Sequence, residues 1–153
     1  MSLFRVLAVD DFEPWRRFIT SELKSNPRLQ IVGQSSDGAD AVRKAQELQP
    51  DLILLDIGLP KLDGIQAAKQ IREVAPKSKI IFFTQEQSAD VAAAALRTGA
   101  NGYVVKSDAE KELLFAVEAV VQGKRFVSAR LAHHDFPDTM DVRSSARPAT
   151  DAD

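Results

Sequence analysis

Short apolar runs alternate with longer stretches of helical period along most of the chain. Residues 4–9, 30–33, 52–55, 79–83 and 103–105 read as strands. Several are apolar on successive residues, as in Ile53-Leu54-Leu55 and Ile80-Ile81-Phe82-Phe83. That pattern suits strands covered on both faces, the habit of parallel sheets. Between the runs, Trp15, Phe18, Ile19 and Leu23 share one helical face, as do Ile65, Ala68, Ile71 and Val74. Leu113, Leu114, Val117, Val120 and Val121 give the clearest stripe, on a helix after the last run. Strands alternating with helices predict right-handed βαβ units and therefore an α/β fold, a five-stranded parallel sheet with helices on both faces.

Local chemistry marks the ends of these elements. Pro14 suits the first turn of the first helix. Asp37 is placed to cap the second, and Asp63 before Gly64 is a turn or cap residue. Ser107 and Glu110 have the spacing of a capping box for the last helix, which Gly123 closes. Pro60 and Pro76 fall in loops. After Val127 the periodicity stops, and Pro137, Ser144, Ser145 and Pro148 break the remainder. Residues 1–127 are thus expected to form one domain. Residues 128–153 form a tail, disordered or loosely docked, shorter than the ~50 residues of a separate domain.

Composition narrows the chemistry by exclusion. The 153 residues include no cysteine, which removes disulfide scaffolds, thiolate metal sites and thiol nucleophiles. Only His133 and His134 are histidines, adjacent and far along the chain, so neither a histidine triad nor a histidine metal site is expected. Twenty Lys+Arg against 22 Asp+Glu leave a formal charge of −2, no electrostatic footprint for nucleic acid or an anionic membrane. No run approaches the ~18 apolar residues of a membrane span, and the start lacks a signal-peptide pattern. The expected location is the cytoplasm.

In open parallel α/β sheets ligands bind outside the carboxyl ends of the strands. Here those ends carry Asp10 and Asp11, Asp56, Thr84 and Lys106. Clustered carboxylates repel by about 4 kcal/mol per pair at 4 Å and an effective dielectric near 20. A cation or raised pKa values must relieve that cost, and oxygen ligands with room for water and phosphate favour Mg²⁺ over zinc. An aspartate beside such a cation can attack phosphorus to give an acyl phosphate, with Lys106 and the Thr84 hydroxyl offsetting charge on the phosphoryl oxygens. Trp15, just after the acidic pair, is expected in the core or at the rim, where its ring would report on cation binding.

The ordered segments Val6-Leu7-Ala8-Val9-Asp10-Asp11, Asp51 to Pro60 with Asp63-Gly64, Ile80 to Thr84 and Gly99 to Lys106 resemble the receiver domains of two-component response regulators. The resemblance covers about residues 4–127. It implies a flavodoxin-like (βα)5 fold, doubly wound, with strand order 2-1-3-4-5. It implies that Asp56 is the phosphoacceptor and that Asp10, Asp11, Asp56 and the backbone carbonyl of Gly58 hold Mg²⁺ or Mn²⁺. Thr84 and Lys106 would stabilise the phosphoryl group, and Thr84 with Tyr103 would form a switch pair. The implied partners are a sensor histidine kinase or phosphotransfer protein, a downstream protein effector and a second copy as homodimer, with no direct nucleic-acid binding by this chain. Gln85 stands where the family usually has a small residue; with Glu86 and Gly58 it is a candidate modulator of acyl-phosphate lifetime. Ser107 replaces the proline that often follows the lysine. Lys106-Ser107 and the stretch 123–128 resemble receivers that precede a LuxR-type helix-turn-helix, so a fragment of a DNA-binding regulator is one alternative. An aspartyl-phosphate phosphohydrolase is another, although its nucleophile belongs in a D-x-D motif on the first strand. An FMN module would need a hydroxyl- and glycine-rich loop where this chain has acids.

Overall fold

The apolar runs resolve, in a computed structural model that describes residues 3–132, into strands β1 (Phe4–Val9), β2 (Leu29–Ser35), β3 (Leu52–Leu55), β4 (Lys79–Thr84), β5 (Gly102–Val105) and β6 (Phe126–Val127). The helices are α1 (Glu13–Leu23), α2 (Gly38–Leu48), α3 (Gly64–Val74), α4 (Ala89–Leu96) and α5 (Ala109–Val121). The strands form one parallel sheet in the order β2-β1-β3-β4-β5-β6. This is the expected flavodoxin-like α/β arrangement with one correction: the sheet has six strands, not five. Phe126 and Val127 pair with Gly102 and Tyr103. Two residues are too short a run to register as a strand by periodicity.

Alternation along the strands divides the core into two layers. Leu7, Val9, Ile53, Leu55, Ile80, Phe82, Tyr103 and Val105 pack with the apolar faces of α2, α3 and α4. Val6, Ala8, Leu52, Leu54, Ile81, Phe83 and Val104 pack with those of α1 and α5. Every one of these strand residues is at most 1% exposed. Coverage of both faces explains why the strands read as continuous apolar runs.

Several end signals are realised. Pro14 lies in the first turn of α1. Asp37 and Asp63 accept hydrogen bonds from the amides of Asp40 and Gln66 and so cap α2 and α3. Gly123 closes α5 with φ +91°; its amide donates to Val120 O, and that of Lys124 to Ala119 O. Those two bonds make a Schellman motif, which needs the left-handed conformation glycine adopts freely.

The capping box at Ser107 and Glu110 is not formed. Residues Lys106–Asp108 make a 3-10 turn, and α5 begins at Ala109 without a side-chain cap. The Asp108 carboxylate is engaged instead by Arg130, at 2.7 and 2.8 Å. Among the described residues no peptide bond is cis, Lys106–Ser107 included.

Packing continues beyond Val127. Ser128 is fully buried, and the turn Ala129–Leu131 places Leu131 in the core at 3% exposure. Ser128 N–H donates to Tyr103 O, while its hydroxyl donates to Glu112 at 2.6 Å and accepts from Val105 N–H at 2.8 Å. Residues 126–131 thus strap the edge of β5 to α5. The rest of the segment expected as a tail, with His133 and His134, lies outside the described residues.

Candidate functional site

Register brings the carboxyl ends of the central strands level: Val9 pairs with Leu55, Leu55 with Phe82 and Thr84 with Val105. Asp10, Asp56 and Lys106, each the residue after its strand, therefore meet with Thr84 at one end of the sheet. They line a cavity of about 360 Å³ whose walls also include Asp11, Phe12, Trp15, Gly58, Gln85 and Glu86. Every candidate site residue except Tyr103 borders this space.

Burial is graded across the cluster. Asp10, Asp56, Thr84 and Lys106 are buried, whereas Asp11, Gly58, Gln85 and Glu86 are exposed. Lys106 Nζ lies 3.0 Å from Asp56 Oδ2, to which it donates, and 2.7 Å from Asp10 Oδ2. Lys106 thus sits between the two carboxylates, in a buried ion pair with each. Asp56 Oδ1 accepts from the Ile57 amide at 2.8 Å, and Asp10 Oδ1 from the Phe12 amide at 3.0 Å. Burial raises the pKa of Asp10; the Lys106 ammonium and the Phe12 amide pull the other way, while the Asp56 charge adds to the rise.

Ligand oxygens of Asp10, Asp11 and Asp56 lie within 4.8 Å of one another. Three carboxylates around one ammonium leave negative charge in excess. A hard divalent cation fits this set.

Tyr103 lies on the other side of Thr84, fully buried beneath the loop after β4. Its hydroxyl donates to Glu86 O at 3.0 Å, and Thr84 Oγ1 accepts from Glu86 N–H at 3.3 Å. Both side chains hold the same residue of the loop. Burial, reinforced by the Glu86 and Asp56 charges, pushes the Tyr103 phenol far above its ordinary range, so it stays a neutral donor.

Two contributors escaped the sequence reading. Gly64 packs against the phosphoacceptor candidate so closely that a Cβ there would lie 2.0 Å from Asp56 O and 2.7 Å from Ile57 Cα. Its amide donates to Ile57 O, fixing the turn after β3. Asp63-Gly64 was the available signal, legible as a cap and silent about the close approach. The second is the aromatic wall behind Lys106: Trp15 and Phe83 stand 5.1 and 5.7 Å from its ammonium. Nothing in the spacing of residues 15, 83 and 106 announces that meeting.

The geometry has parallels among known proteins. The chain is 33% identical over 130 residues to the response regulator GacA of Pseudomonas viridiflava, a match covering 85% of this chain and 61% of GacA. It is 34% identical to the transcriptional regulatory protein LiaR of Bacillus subtilis, covering 85% and 62%. The chain thus spans about 61% of the length of the curated relatives it matches. Among solved structures, a LuxR-family two-component response regulator from Aurantimonas sp. SI85-9A1 superposes with a TM-score of 0.81 at 34% identity, over 86% of this chain and 94% of that one. The response regulator domain of Thermotoga maritima CheB gives 0.70 at 34% identity, over 76% and 94%. The sequence profile of the response regulator receiver domain matches residues 6–118, a span that contains the whole acidic cluster, Thr84, Tyr103 and Lys106. With that match, the chain belongs to the response regulator receiver domain family of two-component signal transduction.

Proposed function

We propose that Asp56 is the phosphoacceptor of this receiver and that a sensor histidine kinase or phosphotransfer protein is its donor. The carrying observation is the buried Asp56 carboxylate, held by the Ile57 amide on one oxygen and by Lys106 on the other, at the floor of an acidic cavity. An Asp56 oxygen attacks phosphorus of a phosphohistidine. The new O–P bond forms as the P–N bond breaks, and the electron pair stays on the imidazole nitrogen. Lys106 is within reach of the incoming phosphoryl oxygens, and the Thr84 hydroxyl is a donor on the same wall. Asp10, Asp11 and Asp56, with the carbonyl of Gly58 beside them, would hold Mg²⁺ or Mn²⁺, which supplies positive charge to the phosphoryl oxygens. Gln85 and Glu86 line the path a hydrolytic water would take and set the lifetime of the acyl phosphate.

Thr84 and Tyr103 form the switch. A phosphoryl group that recruits the Thr84 hydroxyl withdraws it from Glu86 N–H, and the loop that Tyr103 holds through Glu86 O shifts with it. The receiver unit comprises residues 1–127 with the strap through Leu131, and its output is altered contact with an effector or a second copy of the chain. The family acts as a signalling module rather than a catalyst of turnover, and among the described residues no helix is long and apolar enough to cross a membrane. We place the protein in the cytoplasm.

The test is incubation with phosphoramidate and Mg²⁺, followed by intact mass. One phosphoryl group is expected on the wild type and none on Asp56→Asn; a labelled Asn variant overturns the assignment. The 61% coverage and the regulators it matches favour a second, wider reading, a receiver within a DNA-binding regulator. Sequencing the gene past the Asp153 codon tests it: a helix-turn-helix supports that reading and a stop codon removes it.

A further inference from the structure

Trp15 is the chain's single tryptophan, and it is in contact with two other aromatic rings and one ammonium. The ring stands edge-on to Phe83 at 5.3 Å and 90°, and to Phe18 at 5.5 Å and 84°. Across it lies Lys106 Nζ, 5.1 Å from the ring centroid, with Phe83 at 5.7 Å. Both distances are within the ~6 Å at which an aromatic face attracts an ammonium. Lys106 therefore has carboxylates at 2.7 and 3.0 Å on one side and two aromatic rings on the other.

Solvent access points the same way. Three cavities reach Lys106: the acidic one, one running toward Phe18 and Lys111, and one toward Gln85 and Gln87. Trp15 lines all three. The lysine stem has four flexible carbons and a strongly hydrated head, so without a wall the ammonium is free to swing toward water. With the wall it is 5% exposed.

We propose that Trp15 is a positioning residue for phosphoryl acceptance: its ring, fixed between Phe18 and Phe83, holds the Lys106 ammonium against Asp56 and shields it from water. The inference rests on the reading that Asp56 accepts the phosphoryl group. It predicts that the face of the ring matters, beyond the apolar volume at this position.

The experiment measures the initial rate of phosphoryl incorporation from phosphoramidate with Mg²⁺, by intact mass, per folded molecule as judged by circular dichroism. Trp15→Leu is expected to slow incorporation about 3- to 30-fold, the span of cation–π strengths from exposed to desolvated sites. Trp15→Phe restores a ring and is expected to stay within about threefold of the wild type. Where Trp15→Leu does not fold, Trp15→Met takes its place as the ringless apolar residue. A ringless variant labelled at the wild-type rate overturns the inference, as does a Phe variant as slow as the ringless one. Failure of the wild type to label, or labelling of Asp56→Asn, instead overturns the reading on which it rests.

Discussion

At the scale of single residues, the site trades stability for chemistry. Asp10 is 1% exposed, and burial of its charge, only partly offset by Lys106, raises its pKa. A carboxyl whose folded-state pKa lies above its unfolded value destabilises the fold once pH exceeds the unfolded pKa. Asp10→Asn should therefore be more stable than the wild type at neutral pH in chelator, read as a higher melting temperature. The difference should close as pH falls through the folded-state pKa of Asp10, and saturating Mg²⁺ should stabilise the wild type more than the variant. Thermal melts at several pH values, with and without Mg²⁺, check all three. Gly64 carries the opposite burden. A methyl there meets the Asp56 carbonyl at 2.0 Å, and backbone does not yield as a side chain tip does. Gly64→Ala should cost about 1–3 kcal/mol in denaturant unfolding. It should also slow labelling by displacing Asp56.

Much of this site was legible at the residue scale because its members are charged residues at the ends of apolar runs. Asp10, Asp11, Asp56, Thr84 and Lys106 each follow or end such a run, and a parallel sheet aligns those ends. Gly64 and Trp15 were not legible in the same way. Their roles are distances between elements: a helix start against the turn after β3, and α1 against β4 and Lys106.

At the element scale, the strands and the helix ends at Pro14, Asp37, Asp63 and Gly123 were readable because burial on both faces and capping are local rules. The start of α5 was misread for a tertiary reason. The 3-10 turn occupies Ser107, and Arg130 engages Asp108 from 22 residues away. The strap was missed because Phe126-Val127 is short and because the partners of Val127, Ser128 and Arg130, namely Tyr103, Glu112 and Asp108, belong to other elements. The strap also yields a pH prediction. The Arg130 hydrogen bond holds the Asp108 carboxyl below its ordinary value of 3.8. A depressed carboxyl contributes stability above its unfolded pKa and loses it as pH falls through the folded one. Leu131 methyl resonances should therefore report loss of this pair as pH falls through the folded-state pKa of Asp108, which lies below its ordinary value. In Arg130→Gln that step should disappear; an identical step in the variant contradicts the role of the pair.

For the whole molecule, the formal charge of −2 conceals an uneven distribution. The carboxylates at the ends of β1 and β3 face one lysine in a cavity that opens to solvent, while the rest of the sheet is sealed by helices. Layered packing holds the strand ends level, and level strand ends bring together side chains 46 and 50 residues apart, Asp10 to Asp56 and Asp56 to Lys106. The family match spans the same strand ends, over residues 6–118. Beyond the sheet, the strap carries the chain from α5 across the edge next to Tyr103. Arg130 also donates to Gln87 of the loop after β4, at 3.4 Å.

Phosphoryl acceptance by Asp56 in this acidic cavity is tested most directly by borohydride reduction, which converts the acyl phosphate of an aspartate to homoserine, followed by peptide mapping to locate it. Homoserine is expected at residue 56 in the wild type, dependent on Mg²⁺, and none anywhere in Asp56→Asn. Homoserine at another aspartate of the wild type, or unmodified Asp56 in a protein that carries the added mass, would contradict it.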